Sequence, residues 1–208
     1  LPYSDVLKYI SEKLVVDGSS LIWLSNGSSE AVTSSVPKRQ RFIQASPIEK
    51  AKAIKNDVEI ENMKNCHIRD AAALCEYLAW LEKTIESNPG GHENLWEIPA
   101  ADYLEKCRSQ QQNYMGLSFD TISASGPNGS VIHYHPTEAT KRAVGTKELY
   151  LVDSGGQYLD GTTDVTRTVH FGTPSAKECE CFTLVLKGHI RLAMAKFPRL
   201  VKGSALDS

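Results

Sequence analysis

Apolar residues recur at steps of three and four in several stretches of the chain, and this spacing predicts amphipathic helices. The strongest repeat predicts a long helix that begins near Asn56, where Glu59 completes a capping box. The apolar stripe of this helix consists of Ile60, Met63, His67, Ala71, Leu74, Leu78 and Leu81. Because His67 lies on that stripe, we expect a packed core histidine. A weaker repeat predicts another helix over residues 3–14.

Start signals predict two further helices. Pro99 suits the first turn of a helix that continues towards Gln112. The other helix is predicted to start near Thr173-Pro174, with Ser175 and Glu178 as an alternative capping box, and to stop before Pro198. The Pro- and Gly-containing residues 88–91 predict the loop that follows the long helix.

Short runs rich in β-branched and apolar residues predict strands between the helices. Two of these strands are predicted at residues 21–24 and 41–45. The Asn-Gly pair at positions 128–129 is typical of a hairpin turn, so residues 117–134 predict one hairpin. A second hairpin is predicted over residues 148–171, and this mixture of helices and strands predicts an α/β (α+β) fold.

Composition and charge narrow the class of protein. The chain carries 23 Lys and Arg against 25 Asp and Glu, a net charge of −2, which excludes a strongly cationic nucleic-acid-binding protein. No apolar run approaches the length of a membrane span, and the first residues lack the pattern of a signal peptide. The five cysteines, an odd number without a regular framework, predict reduced thiols. We therefore expect a cytoplasmic protein with neither nucleic acid nor membrane as a partner, and, since the chain begins with Leu1, a piece of a longer one.

Two aspartates in the second predicted hairpin carry the main chemical signal. Asp153 ends an apolar strand, and Asp164 shares the face of a Thr-rich strand with Thr166 and Thr168. Carboxylates within strands are costly without partners, and two on neighbouring strands repel each other unless a cation or a shared proton lies between them. A divalent metal ion would explain the pair, and oxygen ligands favour hard ions such as Mn²⁺ or Mg²⁺.

The residues alone leave other interpretations open. Asp153 can be a turn residue, and Asp164 can pair with Arg167 or with another cation. His133 and His135 share one face of a predicted strand, where they can form a metal pair or can hydrogen-bond beside a site.

Three runs of sequence resemble one family. They are LVDSGGQYLDGTTDVTRTVHFGTP at 151–174, TISASGPNGSVIHY at 121–134 and AIKNDVEIENMKNCHIRDAAALCEYLAWLE at 53–82. Together they resemble the eukaryotic cytosolic Xaa-Pro aminopeptidases (aminopeptidase P). The resemblance implies that residues 47–208 are the N-terminal portion of a pita-bread metallopeptidase domain. Residues 1–46 resemble the end of a smaller, non-catalytic α/β domain that precedes it.

The resemblance also implies a site and a reaction. Members of the family hold two divalent metal ions, usually manganese, with two Asp, one His and two Glu. Asp153 matches the first Asp, Asp164 matches the Asp that bridges both metals, and His133 matches a histidine that contacts the substrate near the scissile bond. Substrates would be peptides with proline at the second position, and a homodimer through the catalytic domain is implied. The three other ligands lie in segments C-terminal to those present here, so we expect this chain alone to be inactive.

Two alternatives share the implied fold. One is a catalytically dead pita-bread module that binds other proteins, although such relatives generally lose the carboxylates that Asp153 and Asp164 would supply. The other is a prolidase or a methionine aminopeptidase. The strings GPNGSVIHY and DGTTDVTRT favour aminopeptidase P over both enzymes.

Overall fold

The structure is a computed structural model that describes residues 2–15, 17–87 and 95–206. The chain divides into two compact units, Leu1–Ile60 and Glu61–Ser208. The domain boundary predicted after residue 46 stays a prediction, although a helix does begin at Pro47. The loop predicted at 88–91 lies outside the described residues.

The first unit combines short helices with a two-stranded sheet. Its regular elements are α1 (Val6–Tyr9), β1 (Ile22–Leu24), α2 (Glu30–Ser34), β2 (Arg41–Ile43) and α3 (Pro47–Ala53). A 3₁₀ turn precedes α1 and a π-helical turn, Ile10–Leu14, follows it, so the helical segment predicted over 3–14 is confirmed in extent. Strands β1 and β2 pair in parallel, and both fall where the sequence predicts strands.

Three longer helices are found in the second part of the chain. They are α4 (Asp57–Glu86), α5 (Glu97–Ser109) and α6 (Ala176–Met194). Both capping boxes are confirmed: the Glu59 carboxylate accepts from the Asn56 backbone N–H at 3.0 Å, and the Ser175 hydroxyl accepts from the Glu178 N–H at 3.3 Å. Helix α5 begins at Glu97, two residues before the predicted start.

Within residues 95–206, six strands form two small antiparallel sheets. They are β3 (Tyr114–Leu117), β4 (Ile122–Ser125), β5 (Tyr150–Ser154), β6 (Gly156–Tyr158), β7 (Gly161–Thr162) and β8 (Val165–Val169). One sheet has the order β3-β6-β7 and the other β4-β5-β8. The pairing of β5 with β8 confirms the hairpin predicted over 148–171.

The hairpin predicted over 117–134 is wrong. Strand β4 pairs with β5, and the Asn-Gly pair lies inside a 3₁₀ turn, Gly126–Ser130, with no returning strand after it. His133 and His135 therefore do not share a strand face. The physical reason is that the Asn128 side chain is held by a buried carboxylate, Glu97, at 3.0 Å, which competes with the hairpin turn that this residue otherwise favours.

Helices α4 and α5 cover one face of the sheet that contains β5. The main core cluster joins Ala73, Leu74, Tyr77, Leu81 and Ile85 of α4 with Ala100, Leu104 and Cys107 of α5 and with Tyr150 and Val152 of β5. The predicted core position of His67 is wrong: it is exposed, and its Nδ1 lies 2.8 Å from the Met63 carbonyl oxygen. The buried stripe of α4 instead runs through Cys66 and Asp70, next to the predicted one.

Asp70 is buried within this stripe because it is fully paired. It accepts two hydrogen bonds from Arg108, at 2.8 and 3.0 Å, and one from the Tyr158 hydroxyl at 3.0 Å. Burial, and then the negative charge of Asp70, raise the pKa of Tyr158, so the phenol keeps the proton that it donates. This group links α4 and α5 to strand β6.

Helix α6 differs from α4 and α5, since none of its residues is buried. Its exposed large apolar side chains are Phe182, Leu184, Val185, Leu186, Ile190, Leu192 and Met194. Among the residues described, no helix has both the length and the apolar character needed to cross a bilayer.

Candidate metal centre

The hairpin of β5 and β8 brings the two predicted aspartates together. Asp153 pairs with Thr166, and Asp164 comes two residues before Thr166, just ahead of β8. Since side chains alternate along a strand, this register places Asp164 on the face that carries Asp153, in a diagonal position. That face is opposite to Tyr150 and Val152, which pack on the helices.

The surroundings of Asp153 fit a cation ligand. It lies inside β5, so its interpretation as a turn residue is wrong. Its Oδ1 atom is buried and has no hydrogen-bond partner, and a buried carboxylate oxygen without a donor is costly unless a cation satisfies it. Asp164 is exposed, and no ion pair to it forms within the described ranges, with Arg167 or with any other cation.

Gly155 lies between the two aspartates in the sequence, at a point where the backbones of the two strands approach each other closely. Gly155 follows β5 at a point where an added Cβ would collide with the Thr163 carbonyl oxygen and with the Ser118 hydroxyl. The Thr163 N–H continues the ladder beyond this point by donating to the Gly156 carbonyl at 2.9 Å. A side chain at position 155 would therefore push apart the backbone that carries Asp164.

The Gly155→Ala variant of the complete protein is expected to bind divalent metal at least about 10-fold more weakly than the wild type. The added methyl group meets backbone atoms, which cannot rotate away as the end of a flexible side chain can. Metal titration monitored by calorimetry would measure the change. Gly188→Ala is the matched control, because an added Cβ there meets nothing within 4 Å and the position is helical. Equal affinities of the two variants would contradict the prediction.

The segment that carries His133 lies against the same face of the sheet. Tyr134 packs in a small core cluster with Ile122, Ala124 and Leu151. Ile122 is the register partner of Asp153, and Ala124 is the partner of Leu151, so this cluster shares the face of the two aspartates. His133 directly precedes Tyr134, so its backbone is joined to a residue that packs on that face.

His133 itself has an uncommon backbone conformation. Its φ is 55°, in the left-handed region that residues other than glycine seldom adopt, and its side chain is exposed. His135 is also exposed, and it lines a cavity of about 330 Å³ with the acidic residues Asp102, Glu105 and Asp120. The two histidines thus lie in different surroundings, although the sequence predicts both on the same face of one strand.

Glu97 is a site residue that the sequence reasoning missed. It is fully buried at the start of α5, and its two oxygens accept hydrogen bonds from Ser125, Asn128, Tyr134 and Arg142. A Glu in the first turn of a helix is usually an exposed residue that complements the helix dipole, so no pattern in the sequence marks it as buried.

Asp153 and Asp164 are the part of the candidate metal centre that lies within the described residues. Among them, no three His, Cys, Asp or Glu side chains gather closely enough to hold a metal ion. Asp153 and Asp164 offer carboxylate oxygens, the donors that hard divalent cations prefer, and the unpartnered Asp153 Oδ1 fits such an ion.

Comparison with known proteins agrees with this geometry. The model of metallopeptidase family M24 matches residues 61–208. The Xaa-Pro aminopeptidase ApepP of Drosophila melanogaster is 52% identical over 208 residues, which are 100% of this chain and 33% of that protein. Aminopeptidase P2 of Arabidopsis thaliana is 55% identical over 162 residues, which are 78% of this chain and 22% of that protein.

A solved structure shows the same fold. The X-prolyl aminopeptidase of Caenorhabditis elegans, described as a cytosolic enzyme with a di-nuclear active site, has a TM-score of 0.86 and 41% sequence identity. The match covers 99% of this chain and 34% of that one, so the chain spans about a third of the length of these relatives. The pita-bread α/β fold implied by the sequence is confirmed, and the chain belongs to metallopeptidase family M24.

Proposed function

We propose that the complete protein containing this chain is an Xaa-Pro aminopeptidase. It hydrolyses the peptide bond between an N-terminal residue and a following proline, and its substrates are peptides with proline at the second position. The observation that carries the proposal is the placement of Asp153 and Asp164 on one face of the hairpin, with the Asp153 Oδ1 buried and unpartnered. The names of the relatives with 52% and 41% identity supply the substrate class.

Asp153 and Asp164 would hold two divalent metal ions, together with ligands from the part of the protein that this chain does not span. When bound, these ions supply Lewis-acid activation of the scissile carbonyl and of the attacking water. Manganese is the proposed metal, because the donors here are carboxylate oxygens. The C. elegans relative, with its di-nuclear active site, supports the number of ions.

His133 would act on the substrate. It is exposed and directly precedes Tyr134, which packs on the face of the two aspartates, so its imidazole would be free to hydrogen-bond the oxygen on which negative charge develops during attack. Such a contact strengthens as charge develops, and it therefore stabilises the transition state more than the bound substrate.

Residues 1–208 alone are proposed to be inactive. Two carboxylates do not satisfy the coordination of two divalent ions, and metal affinity depends on the whole ligand set. We further propose a cytoplasmic location, as described for the C. elegans relative, and a homodimer through the catalytic domain.

The test uses the complete protein with manganese and three kinds of peptide. An Xaa-Pro aminopeptidase cleaves Xaa-Pro-Yaa tripeptides, a prolidase cleaves Xaa-Pro dipeptides, and a methionine aminopeptidase cleaves a Met-Ala-Yaa tripeptide. Cleavage of the first kind with about two metal ions per chain supports the proposal. Metal-loaded protein that cleaves none of them would instead favour a binding module.

The His133→Ala variant of the complete protein is expected to lower kcat by about 100-fold or more. Its metal content should stay at the wild-type value, because the proposed role is contact with the reacting group. Steady-state kinetics and elemental analysis of the same samples measure both quantities.

His135→Ala is the control for this variant, since His135 is also exposed but lines the cavity that contains Asp102, Glu105 and Asp120. It should keep kcat within about 3-fold of the wild type. If His133→Ala loses its metal together with activity, His133 is a ligand, and a normal kcat would remove it from the mechanism.

A further inference from the structure

Glu97 is a buried carboxylate without a cationic partner. Its relative exposure is 0%, and no Lys, Arg or His among the described residues forms an ion pair with it. Burial of a charge is costly, so the charge must be compensated by donors. The first turn of α5 offers one source, because the positive end of the helix dipole favours an anion there.

The other compensation comes from four hydrogen-bond donors. Glu97 Oε1 accepts from the Ser125 N–H at 2.6 Å and from Asn128 Nδ2 at 3.0 Å. Glu97 Oε2 accepts from the Tyr134 hydroxyl at 2.7 Å and from the Arg142 N–H at 3.0 Å. Hydrogen bonds to an ionised acceptor are about twice as strong as neutral ones.

Three of the four donors flank one short segment of chain, residues 129–133. Ser125 ends β4 and Asn128 follows in the 3₁₀ turn, whereas Tyr134 comes directly after His133. Asn128 also donates to the Tyr134 hydroxyl at 2.8 Å, which joins the residues on either side of this segment. The carboxylate is thus a single point at which both ends of this segment are fixed.

His133 needs such support, because its backbone is in the left-handed region at φ 55°. A residue other than glycine keeps this conformation when the surrounding structure over-determines it. No hydrogen bond of the His133 side chain is found within the described part of the chain that could supply the constraint. The residues on either side of the segment that carries His133 are Asn128 and Tyr134; the side chains of both donate to Glu97, and both also donate to the Thr140 carbonyl oxygen.

We propose that Glu97 is the positioning residue for His133: through Asn128 and Tyr134 it holds the segment that presents this histidine to the substrate. The role rests on the proposed function, in which His133 contacts the reacting group. Glu97 is itself held in place, because Ala100, Leu104 and Cys107 of the same helix, α5, pack in the main core cluster.

Glu97→Gln is the informative substitution, because it keeps the shape of the side chain but replaces one acceptor oxygen with a hydrogen-bond donor. A glutamine places one NH₂ group where the carboxylate has an oxygen. The Tyr134 hydroxyl can rotate to accept from that group, but the Arg142 and Ser125 N–H groups are donors only, so one of them loses its acceptor. The segment should loosen without leaving a cavity.

The experiment measures kinetics of the complete, metal-loaded protein and amide hydrogen exchange of the same protein without metal. Glu97→Gln is expected to lower kcat by about 10- to 100-fold, since small misplacements of a catalytic group have effects of this size. KM and metal content should stay near the wild-type values. Without metal, either the Ser125 amide or the Arg142 amide, whichever loses its acceptor, should exchange faster, while the α4 amides keep their protection.

Two further variants separate positioning from folding. Tyr134→Phe removes one donor to Glu97 and keeps the ring in its apolar cluster, so it should lower kcat in the same direction as Glu97→Gln. Glu105→Gln removes a carboxylate that is exposed on the same helix, and it should leave kcat and exchange unchanged.

A double-mutant cycle tests whether Glu97 affects kcat through His133. If Glu97 acts through His133, then Glu97→Gln should have little further effect on kcat in a His133→Ala background. Full additivity of the two substitutions, or an unchanged kcat in Glu97→Gln, would overturn the positioning role while the role of His133 stands. A normal kcat in His133→Ala alone would instead remove the proposed catalytic role on which this inference rests.

Discussion

Replacing Arg108 with alanine is expected to lower the free energy of unfolding by about 3–5 kcal/mol. The Arg108 side chain is fully buried and forms a bidentate pair with Asp70, whose side chain is 3% exposed. The substitution would leave the Asp70 carboxylate buried with Tyr158 as its remaining donor among the three hydrogen bonds described. Urea denaturation of the metal-free complete protein would measure the loss.

Arg69→Ala is the matched control for this prediction. Arg69 also pairs with an aspartate: its Nη2 donates to both Asp160 oxygens, at 2.6 and 2.7 Å, but the side chains of that pair are 21% and 17% exposed. Water therefore replaces the lost partner in part, and a cost of about 1 kcal/mol or less is expected. Similar losses for the two variants would show that burial does not amplify the effect of Arg108.

The same buried pair explains an error in the predicted core. Apolar spacing on α4 favours the stripe through Met63 and His67, because a pattern of apolar residues excludes a position such as Asp70 from the interior. The true stripe includes Asp70 because Arg108 lies on another helix, 38 residues later in the chain. Pairing across such a distance leaves no periodic signal in the sequence of α4.

Local signals predicted the elements that depend on local contacts. The capping boxes at Asn56 and Ser175 are formed by side chains three residues apart, and both are found in the structure. The hairpin of β5 and β8 was likewise predictable, because its register is set by alternation within the two strands. Sequence patterns report such short-range interactions directly.

The surroundings of His133 were not predictable in this way. The Asn-Gly pair at 128–129 has a strong preference for hairpin turns, yet a buried Glu97 and a partner strand from farther along the chain decide its conformation. The resemblance to aminopeptidase P identified His133 as a candidate, but the left-handed φ and the Glu97 network came from the structure. Tertiary hydrogen bonds overrode the local turn preference here.

Replacing Asp153 or Asp164 with asparagine in the complete protein is expected to remove most of the bound metal and to lower kcat by about 1,000-fold or more. Asparagine keeps the shape of the side chain, but it has no negative charge and one oxygen fewer to offer a cation. The Asp153 Oδ1 is already buried without a donor, so the carboxylate makes few interactions there that asparagine would lose. Elemental analysis and steady-state kinetics measure the two losses.

Stability of the metal-free protein separates a ligand role from a structural one. Without metal, the two carboxylates share a face and repel each other, so neutralising Asp153 should change the free energy of unfolding by less than about 1 kcal/mol. Asp160→Asn is the control on the same hairpin: its carboxylate pairs with Arg69, which lowers its pKa, and this variant should keep both metal and activity. A metal-free Asp153→Asn protein that is destabilised by several kcal/mol, or an Asp164→Asn protein with full metal content, would show that the pair serves the fold rather than the metal.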